Sequence, residues 1–454
     1  MEERRENRMG TMPVGKLLVT MSLPIMISML IQALYNIVDS IFVAQIGENA
    51  LTAVSLAFPV QNLIIAVGIG TGIGINSLLS RRLGERRFDD ANAAAENGIL
   101  LSLCNWLVFA IFGGLFSEAF FRAFTDNPEI ISMGTDYLTV CTVFSFGCFM
   151  QFACERILQA TGITIYNMIT QATGAIINII LDPIMIFGLF GFPRLGVKGA
   201  AVATVIGQIV AMLMGLWFNA KKNREIHMDF RHFRPSGRII GEIYKVGVPS
   251  IVMQSIGTVM TIGMNKILIA FSETAVAVFG VYFKLQSFVF MPIFGLTNGL
   301  VPIVAYNYGA RKRHRITGSI RHALVYALSI MALGTLLFQL LPAPLLRLFK
   351  ASDALLAIGV PALRIISISF LGAGVGIVLS SVFQAMGNGV LSLTMSVARQ
   401  LAVLLPVAWL MARFVGLDAV WAAFPVSEYV SVTIALFMYR YVYHNHIAPL
   451  VEEA

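Results

Sequence analysis

The sequence predicts an all-α polytopic membrane protein with twelve transmembrane helices in two six-helix lobes. Three observations predict this fold class. The composition is 57% hydrophobic and only 12% charged, and the mean hydropathy is +0.80, which excludes an ordinary soluble globule. Long apolar runs recur along the whole chain. The second half of the chain also repeats the first at a fixed offset, the distance from Pro24 to Pro249.

The apolar runs number twelve, and each is long enough to cross a bilayer as one helix. An even number of spans puts both termini on the same side of the membrane. In chain order, the runs cover roughly residues 17–46, 51–79, 95–121, 130–154, 163–190, 196–218, 242–271, 275–304, 321–342, 355–380, 386–412 and 418–442.

The net charge of +8 indicates a membrane orientation rather than a nucleic-acid partner, because the basic residues are not spread over one surface. Most of the 32 lysines and arginines lie in the hydrophilic breaks of one side. By the positive-inside rule that side is cytoplasmic, so we expect both termini there. These basic breaks lie at residues 4–16, 81–87, 221–245 and 311–321.

The internal repeat divides the chain into an N-terminal lobe (1–218), a cytoplasmic basic linker (219–241) and a C-terminal lobe with a short tail (242–454). Six spans per lobe give both lobes the same orientation, so we expect a pseudo-two-fold axis along the membrane normal and a central cleft. Two such lobes are the common plan of an alternating-access carrier. The residues that match at the same offset include Pro24 and Pro249, Gln61 and Gln286, Gly70 and Gly295, Gly74 and Gly299, and Arg86 and Arg311.

Asp39 is the only residue of the first apolar run whose side chain is charged at neutral pH in water. An acid inside a span costs several kcal/mol, so its default interpretation is functional. Helical spacing places Asp39 in a stripe of polar residues along one face of this span, which a lipid-facing surface would not carry. We therefore expect this stripe, formed by Gln32, Tyr35, Asn36, Asp39 and Val43, to line a cavity or a helix–helix seam.

Three spans place oxygen ligands at a similar depth in the N-terminal lobe. Asp39 lies roughly 12 Å from the outer end of span one and Asp182 roughly 10 Å from that of span five, with Asn178 one turn away. Thr204 lies roughly 12 Å into span six. Two carboxyl groups with Asn and Thr oxygens suit a proton or a sodium ion. The alternative is that each acid only bonds a neighbouring helix or pairs with a lysine.

The C-terminal lobe does not repeat these acids. The partners of Asp39 and Asp182 at the repeat offset are Met264 and Val407. The C-terminal lobe is instead basic, with Glu428 as an acid in its last span. We expect Glu428 to form a structural pair with Lys284 or Arg399, and we take Lys284 and Met291 as further candidates for lining a substrate cleft. The basic residues of these spans are Lys266, Lys284, Arg364 and Arg399.

Motifs of enzymes and ATP-driven pumps are absent from the sequence. No G-x-x-x-x-G-K-[ST] loop is present, and no histidine lies deep in a span. The run from Gly68 to Gly74 superficially resembles a phosphate loop, but inside a span it predicts close helix packing or flexing. We therefore predict no catalytic residues and no resident metal centre.

Several segments together resemble the multidrug and toxic compound extrusion (MATE) family over nearly the whole chain, and in particular its MepA- and DinF-like bacterial branch. They are Tyr35-Asn36-Ile37-Val38-Asp39, Gln159-Ala160-Thr161-Gly162, Asn178-Ile179-Ile180-Leu181-Asp182-Pro183, Gly199-Ala200-Ala201-Val202-Ala203-Thr204, Tyr282-Phe283-Lys284-Leu285-Gln286 and Tyr306-Asn307-Tyr308-Gly309.

The resemblance implies a secondary antiporter of the bacterial cytoplasmic membrane that expels lipophilic, mostly cationic compounds in exchange for H⁺ or Na⁺. It implies no other cofactor, and we expect a monomer in contact with membrane lipid. It assigns ion coupling to Asp39, Asn178, Asp182 and Thr204. A second, acidic site of some relatives, in spans seven and ten, is missing here, since those spans carry Lys266 and Arg364.

Three other functions remain open from the sequence. A lipid-linked saccharide flippase of the same superfamily would favour basic residues in the cleft. A membrane-embedded acyl- or glycosyltransferase is disfavoured by the placement of the histidines and by the repeat. A channel fits the asymmetric pair of acids less well than a carrier does.

Overall fold

The computed structural model describes residues 6–451, and within this range the chain is helical, with no strand. Arg4 and Arg5, which belong to the first basic break, lie outside the described residues. The helices of the first six spans are α1 (Arg8–Thr11), α2 (Val14–Ile46), α3 (Glu48–Gly84), α4 (Phe88–Phe124), α5 (Pro128–Val143), α6 (Phe146–Ala160), α7 (Ile165–Phe187) and α8 (Val197–Lys221).

The second six spans follow the same order. Their helices are α9 (Gly237–Ile269), α10 (Glu273–Gly309), α11 (Arg313–Leu340), α12 (Pro342–Arg347), α13 (Asp353–Ser367), α14 (Phe370–Ala385), α15 (Gly389–Val397), α16 (Leu405–Phe414), α17 (Leu417–Trp421) and α18 (Ala423–Val442), with π-helical turns at Ala398–Leu404 and Tyr443–Ile447.

The described helices group into twelve segments that coincide with the predicted runs, so the prediction of twelve membrane spans is confirmed. Ten spans are each long and apolar enough to cross a membrane. The fourth and tenth spans are each a bent pair, α5 with α6 at 41° and α13 with α14 at 48°. Both bends lie at equivalent positions of the repeat, to within one residue.

Backbone conformation repeats as well. Arg86, after α3, and Arg311, after α10, both have a φ of 58°, in the left-handed region that non-glycine residues rarely occupy. Gly162 and Gly387, which follow α6 and α14, both have positive φ. The sequence repeat is therefore also a repeat of turn geometry.

Two compact units divide the chain, and each contains one part of α2 and one part of α9. One unit comprises Ile27–Ile251, and the other comprises Met1–Met26 with Val252–Ala454. Both helices change units two residues after their internal proline, Pro24 in α2 and Pro249 in α9. These units differ from the predicted lobes 1–218 and 242–454 by the leading segments of α2 and α9. As a division of the sequence, the predicted lobes stay a prediction.

Glycines hold these leading segments in place within each unit. An added Cβ at Gly70 would lie 2.4 Å from Ile251 Cγ1, and at Gly74 it would lie 2.2 Å from the carbonyl oxygen of Ile243. In the other unit, Gly295 and Gly299 meet α2 in the same way, at Met26 and Ser22. The prediction of close helix packing along the glycine run is confirmed.

Candidate ion-coupling site

The acids of spans one and five meet inside the unit Ile27–Ile251. The carboxyl groups of Asp39 on α2 and Asp182 on α7 lie within hydrogen-bonding reach of each other. Asp182 is fully buried. The Oδ1 atom of each acid is also buried and accepts no hydrogen bond from the N–H and O–H groups of the described residues. Two carboxyl groups in contact need a shared proton or a cation, because they offer only acceptors when both are ionised.

Asn178 and Thr204 continue this contact. The Thr204 backbone N–H can only donate, so the Asn178 amide is oriented with its oxygen facing Thr204. In that orientation Asn178 Oδ1 accepts from the hydroxyl (3.1 Å) and the backbone N–H (3.0 Å) of Thr204, and Nδ2 donates to Asp182 Oδ2 (3.1 Å). The four residues predicted for ion coupling therefore form one connected chain.

Close packing of α7 on α8 makes this series of side-chain contacts possible. Gly174 and Gly207 face each other, and a Cβ on Gly207 would lie 2.6 Å from the Gly174 carbonyl oxygen. The backbones therefore approach closely, as small residues allow between membrane helices. Asn178 lies one turn after Gly174 and one turn before Asp182, so a single face of α7 reaches both Thr204 and Asp39.

A second layer of polar side chains was not predicted. Tyr137 on α5 is buried. It lies close enough to Asp39 for an electrostatic interaction with that carboxyl group, and so does Tyr35. Gln61 on α3 donates to the Tyr137 hydroxyl at 2.8 Å. Gln61 had already appeared in the sequence as a residue shared by the two repeats, but the pattern carried no signal that it reaches Tyr137.

A cavity of about 80 Å³ lies beside this network. Of the predicted cleft residues, Gln32 and Tyr35 line it, whereas Asn36 is exposed and is not part of its lining. The prediction that Asn36 faces a cavity or a helix–helix seam stays a prediction. The cavity is lined by Gln32, Tyr35, Ile65, Cys148, Gln151, Phe152, Gln171, Gly174, Ala175, Asn178, Thr204, Gly207 and Gln208.

The structure does not bring Lys284 and Met291 into this cavity. Both lie on α10 in the other unit, where Lys284 is exposed with its ammonium nitrogen 5.8 Å from the centre of the Phe349 ring, and Met291 is half-buried. Of the two partners considered for Glu428, the structure selects Arg399, with Nη1 3.6 Å from Oε1. Arg364 is exposed and donates from Nε to the Gln339 carbonyl oxygen at 3.2 Å.

A buried acid in α6 was missed altogether. The predicted fourth span ended at residue 154, which placed Glu155 and Arg156 in a hydrophilic break. The helix instead runs to Ala160, and both residues are buried, 4% and 7% exposed. Arg156 is thus a residue of a membrane-span helix, where its Nη1 donates to Gln159 Oε1 at 3.0 Å. Two adjacent charges are more typical of the end of a span, which is why the sequence does not reveal this acid.

Comparison with known proteins agrees with the repeat. The sequence profile of the MatE family matches this chain twice, over residues 24–184 and 249–410. The two matches start 225 residues apart, which is the offset found from the sequence alone. Each match begins at the proline that precedes the change of unit in α2 or α9.

Relatives cover nearly the whole chain. The multidrug export protein MepA of Staphylococcus haemolyticus is 28% identical over 94% of this chain and 93% of its own length. The FAD transporter of Shewanella oneidensis is 26% identical, with 92% of each chain covered. The structure of a MOP superfamily transporter from Pyrococcus furiosus superposes with a TM-score of 0.89 at 27% identity, covering 96% of this chain and 97% of that one. The protein therefore belongs to the MatE family of membrane transporters and is not an enzyme.

Proposed function

We propose that this protein exports lipophilic, mostly cationic small molecules across the bacterial cytoplasmic membrane in exchange for H⁺ or Na⁺. The observation that carries the proposal is the buried contact between Asp39 and Asp182, extended by Asn178 and Thr204 beside a cavity. The similarity to the MepA export proteins supports the same conclusion. Both termini face the cytoplasm in this proposal, and the monomer is the working unit.

Charge exchange at the acid pair drives the cycle. When a proton or sodium ion enters from outside, it neutralises the facing carboxyl groups, α2 repacks, and the drug leaves. Release of the ion toward the cytoplasm restores negative charge beside the cavity, which attracts the next cation. The ion can shift the equilibrium between two states only by as much as its affinity differs between them.

The donor set suits both candidate ions. Two carboxyl groups in contact can share one proton. Carboxylate, amide and hydroxyl oxygens are also hard ligands of the kind that alkali and alkaline-earth cations prefer over soft metals. Separate pH and sodium gradients therefore have to be compared in the test.

The test is uptake of a fluorescent lipophilic cation into proteoliposomes under an imposed pH gradient or an imposed sodium gradient. We expect Asp39→Asn and Asp182→Asn each to lose ion-driven transport, by about 100-fold or more if charge exchange is the coupling step. Asp136→Asn is the matched control, because Asp136 lies on α5 of the same unit but is exposed. Full ion-driven transport in both variants would rule out the coupling role.

A second candidate substrate class is an anionic nucleotide cofactor, which the relation to the Shewanella oneidensis FAD transporter favours. Lys266 and Lys284 are exposed cations on α9 and α10 that suit such an anion. The same proteoliposomes, loaded with FAD instead of the dye, distinguish the two classes. Ion-driven movement of FAD without movement of the dye would select the anion.

A further inference from the structure

We infer that Glu155 is a second cation station, which holds the coupling H⁺ or Na⁺ at the opposite end of the cavity from Asp39 and Asp182. The inference rests on the proposed ion-coupled function and extends it to a residue outside the acid pair. It places a path for the ion within the unit Ile27–Ile251, with Glu155 at one end and the Asp39–Asp182 pair at the other.

The side chains that donate hydrogen bonds to Glu155 are neutral. Its Oε1 accepts from Gln151 Nε2 at 2.9 Å and from the Thr170 hydroxyl at 3.2 Å, and its Oε2 accepts from Gln171 Nε2 at 3.0 Å. Because an amide carries both donors and an acceptor, and a hydroxyl does too, these partners can serve an ionised, a protonated or a cation-bound carboxyl group. An arginine offers only donors, so it would favour the ionised form alone.

The cavity connects this acid to the first one. Gln151 and Gln171, which donate to Glu155, line the same cavity as Asn178, which donates to Asp182, and Thr204, which is bonded to Asn178. Along α7, Thr170 and Asp182 are twelve residues apart, or roughly 18 Å. A cation that leaves Asp182 therefore meets polar side chains over this distance and then a second carboxyl group.

Glu155 lies near the helix end that the proposed orientation puts on the cytoplasmic side. It is five residues before the end of α6 at Ala160, roughly 8 Å along the axis. The ionisable groups that interact with it are Arg156, Cys148 and Cys154, all on α6 and all buried. Of these, Arg156 also donates to Gln159. Glu155 is therefore placed to pass the ion between the cavity and the cytoplasm.

A purely structural role for Glu155, tying α6 to α7, makes a different prediction. Loss of such a tie would weaken folding and would slow every mode of transport together. Loss of a cation station would slow ion-driven transport but spare exchange of labelled for unlabelled substrate, which needs no net movement of the coupling ion.

The experiment compares ion-driven uptake with substrate exchange in proteoliposomes for Glu155→Gln. We expect ion-driven uptake to fall about tenfold or more, while exchange and the midpoint of thermal unfolding stay near wild type. Glu118→Gln is the matched control, because Glu118 is an exposed acid on α4 that pairs with Arg122. Equal losses in uptake and exchange, or full uptake, would overturn the inference.

Two further variants keep the outcome decisive. If Glu155→Gln does not fold, Glu155→Asp keeps the carboxyl group but shortens its reach, and we expect a changed dependence of uptake on pH or sodium concentration. A wild-type dependence would overturn the inference. Asp39→Asn is measured in parallel. Loss of uptake in Asp39→Asn but not in Glu155→Gln rejects the second station alone, whereas full uptake in Asp39→Asn rejects the proposed coupling function.

Discussion

The unit Ile27–Ile251 and the unit formed by Met1–Met26 with Val252–Ala454 share a packing plan but differ in chemistry. In each unit, two glycines of the long second helix of the repeat hold the leading segment of a helix from the other half of the sequence, Gly70 and Gly74 on α3 or Gly295 and Gly299 on α10. The exchange of segments falls at the same repeat position in both.

The polar side chains follow no such symmetry. At the positions of Asp39, Asp182 and Glu155, the second unit has Met264, Val407 and Ser380. The buried acid Glu428 of the second unit lies beside Arg399 rather than among glutamines. The comparison teaches that backbone contacts constrain the small residues in both units, whereas ionisable residues are free to diverge, so that one unit carries the candidate ion chemistry.

The largest expected effect tests the shared packing. Gly74→Leu and Gly299→Leu should each abolish folded protein, because even a Cβ would lie 2.2 Å from the Ile243 carbonyl oxygen or 3.0 Å from Ser22 Cα. Overpacking alone costs about 1–3 kcal/mol, and backbone atoms cannot move aside as a side chain can. The yield of monodisperse protein in detergent measures the effect. Gly114→Ala is the control, since its Cβ would lie 3.9 Å from the nearest atom.

A smaller effect separates structural from coupling acids. Glu428→Gln should lower the free energy of unfolding by about 1–3 kcal/mol, because it leaves the Arg399 guanidinium without its carboxylate in a largely buried site. Thermal unfolding in detergent measures the loss, and ion-driven transport should persist. If the folded Glu428→Gln variant instead loses ion coupling, the second unit carries ion chemistry too.

The smallest effect concerns the segment between α8 and α9. The hydrogen bond that His232 Nδ1 makes with Asp229 Oδ2, at 2.7 Å, raises the pKa of His232 and lowers the pKa of Asp229. The stability that protonated His232 gives the folded state through this pair is present at low pH, and it is lost as the pH rises through the raised pKa of His232. Both side chains are largely exposed, so His232→Gln should leave the pH profile of transport unchanged. If His232→Gln changed the pH profile of transport as much as Asp39→Asn does, the pH response would depend on a residue outside the membrane spans.

Much of this organisation could be predicted from the sequence because it depends on strong, regular signals. Apolar runs, prolines and glycines in one register predicted the twelve spans and the repeat. An acid in an apolar span singled out Asp39 and Asp182. Glu155 escaped prediction because it stands next to Arg156 at the end of an apolar run, and two adjacent charges are more typical of a break than of a buried site.

Long-range side-chain contacts escaped prediction for another reason. The contact of Gln61 with Tyr137 depends on how α3 and α5 are rotated against each other, and helical periodicity fixes a face but not its partner. Arg399 rather than Lys284 approaches Glu428, and the spacing of residues along separate spans could not decide between them.

Coupling through one unit is tested most directly by measuring which cation the purified protein releases, H⁺ or Na⁺, when it binds a lipophilic cationic dye in detergent. A pH electrode in weak buffer and a sodium-selective electrode record the displacement. Wild type and Glu428→Gln should displace the same ion, and the double variant Asp39→Asn with Asp182→Asn should displace none. Undiminished displacement by the double variant would contradict the proposed coupling site.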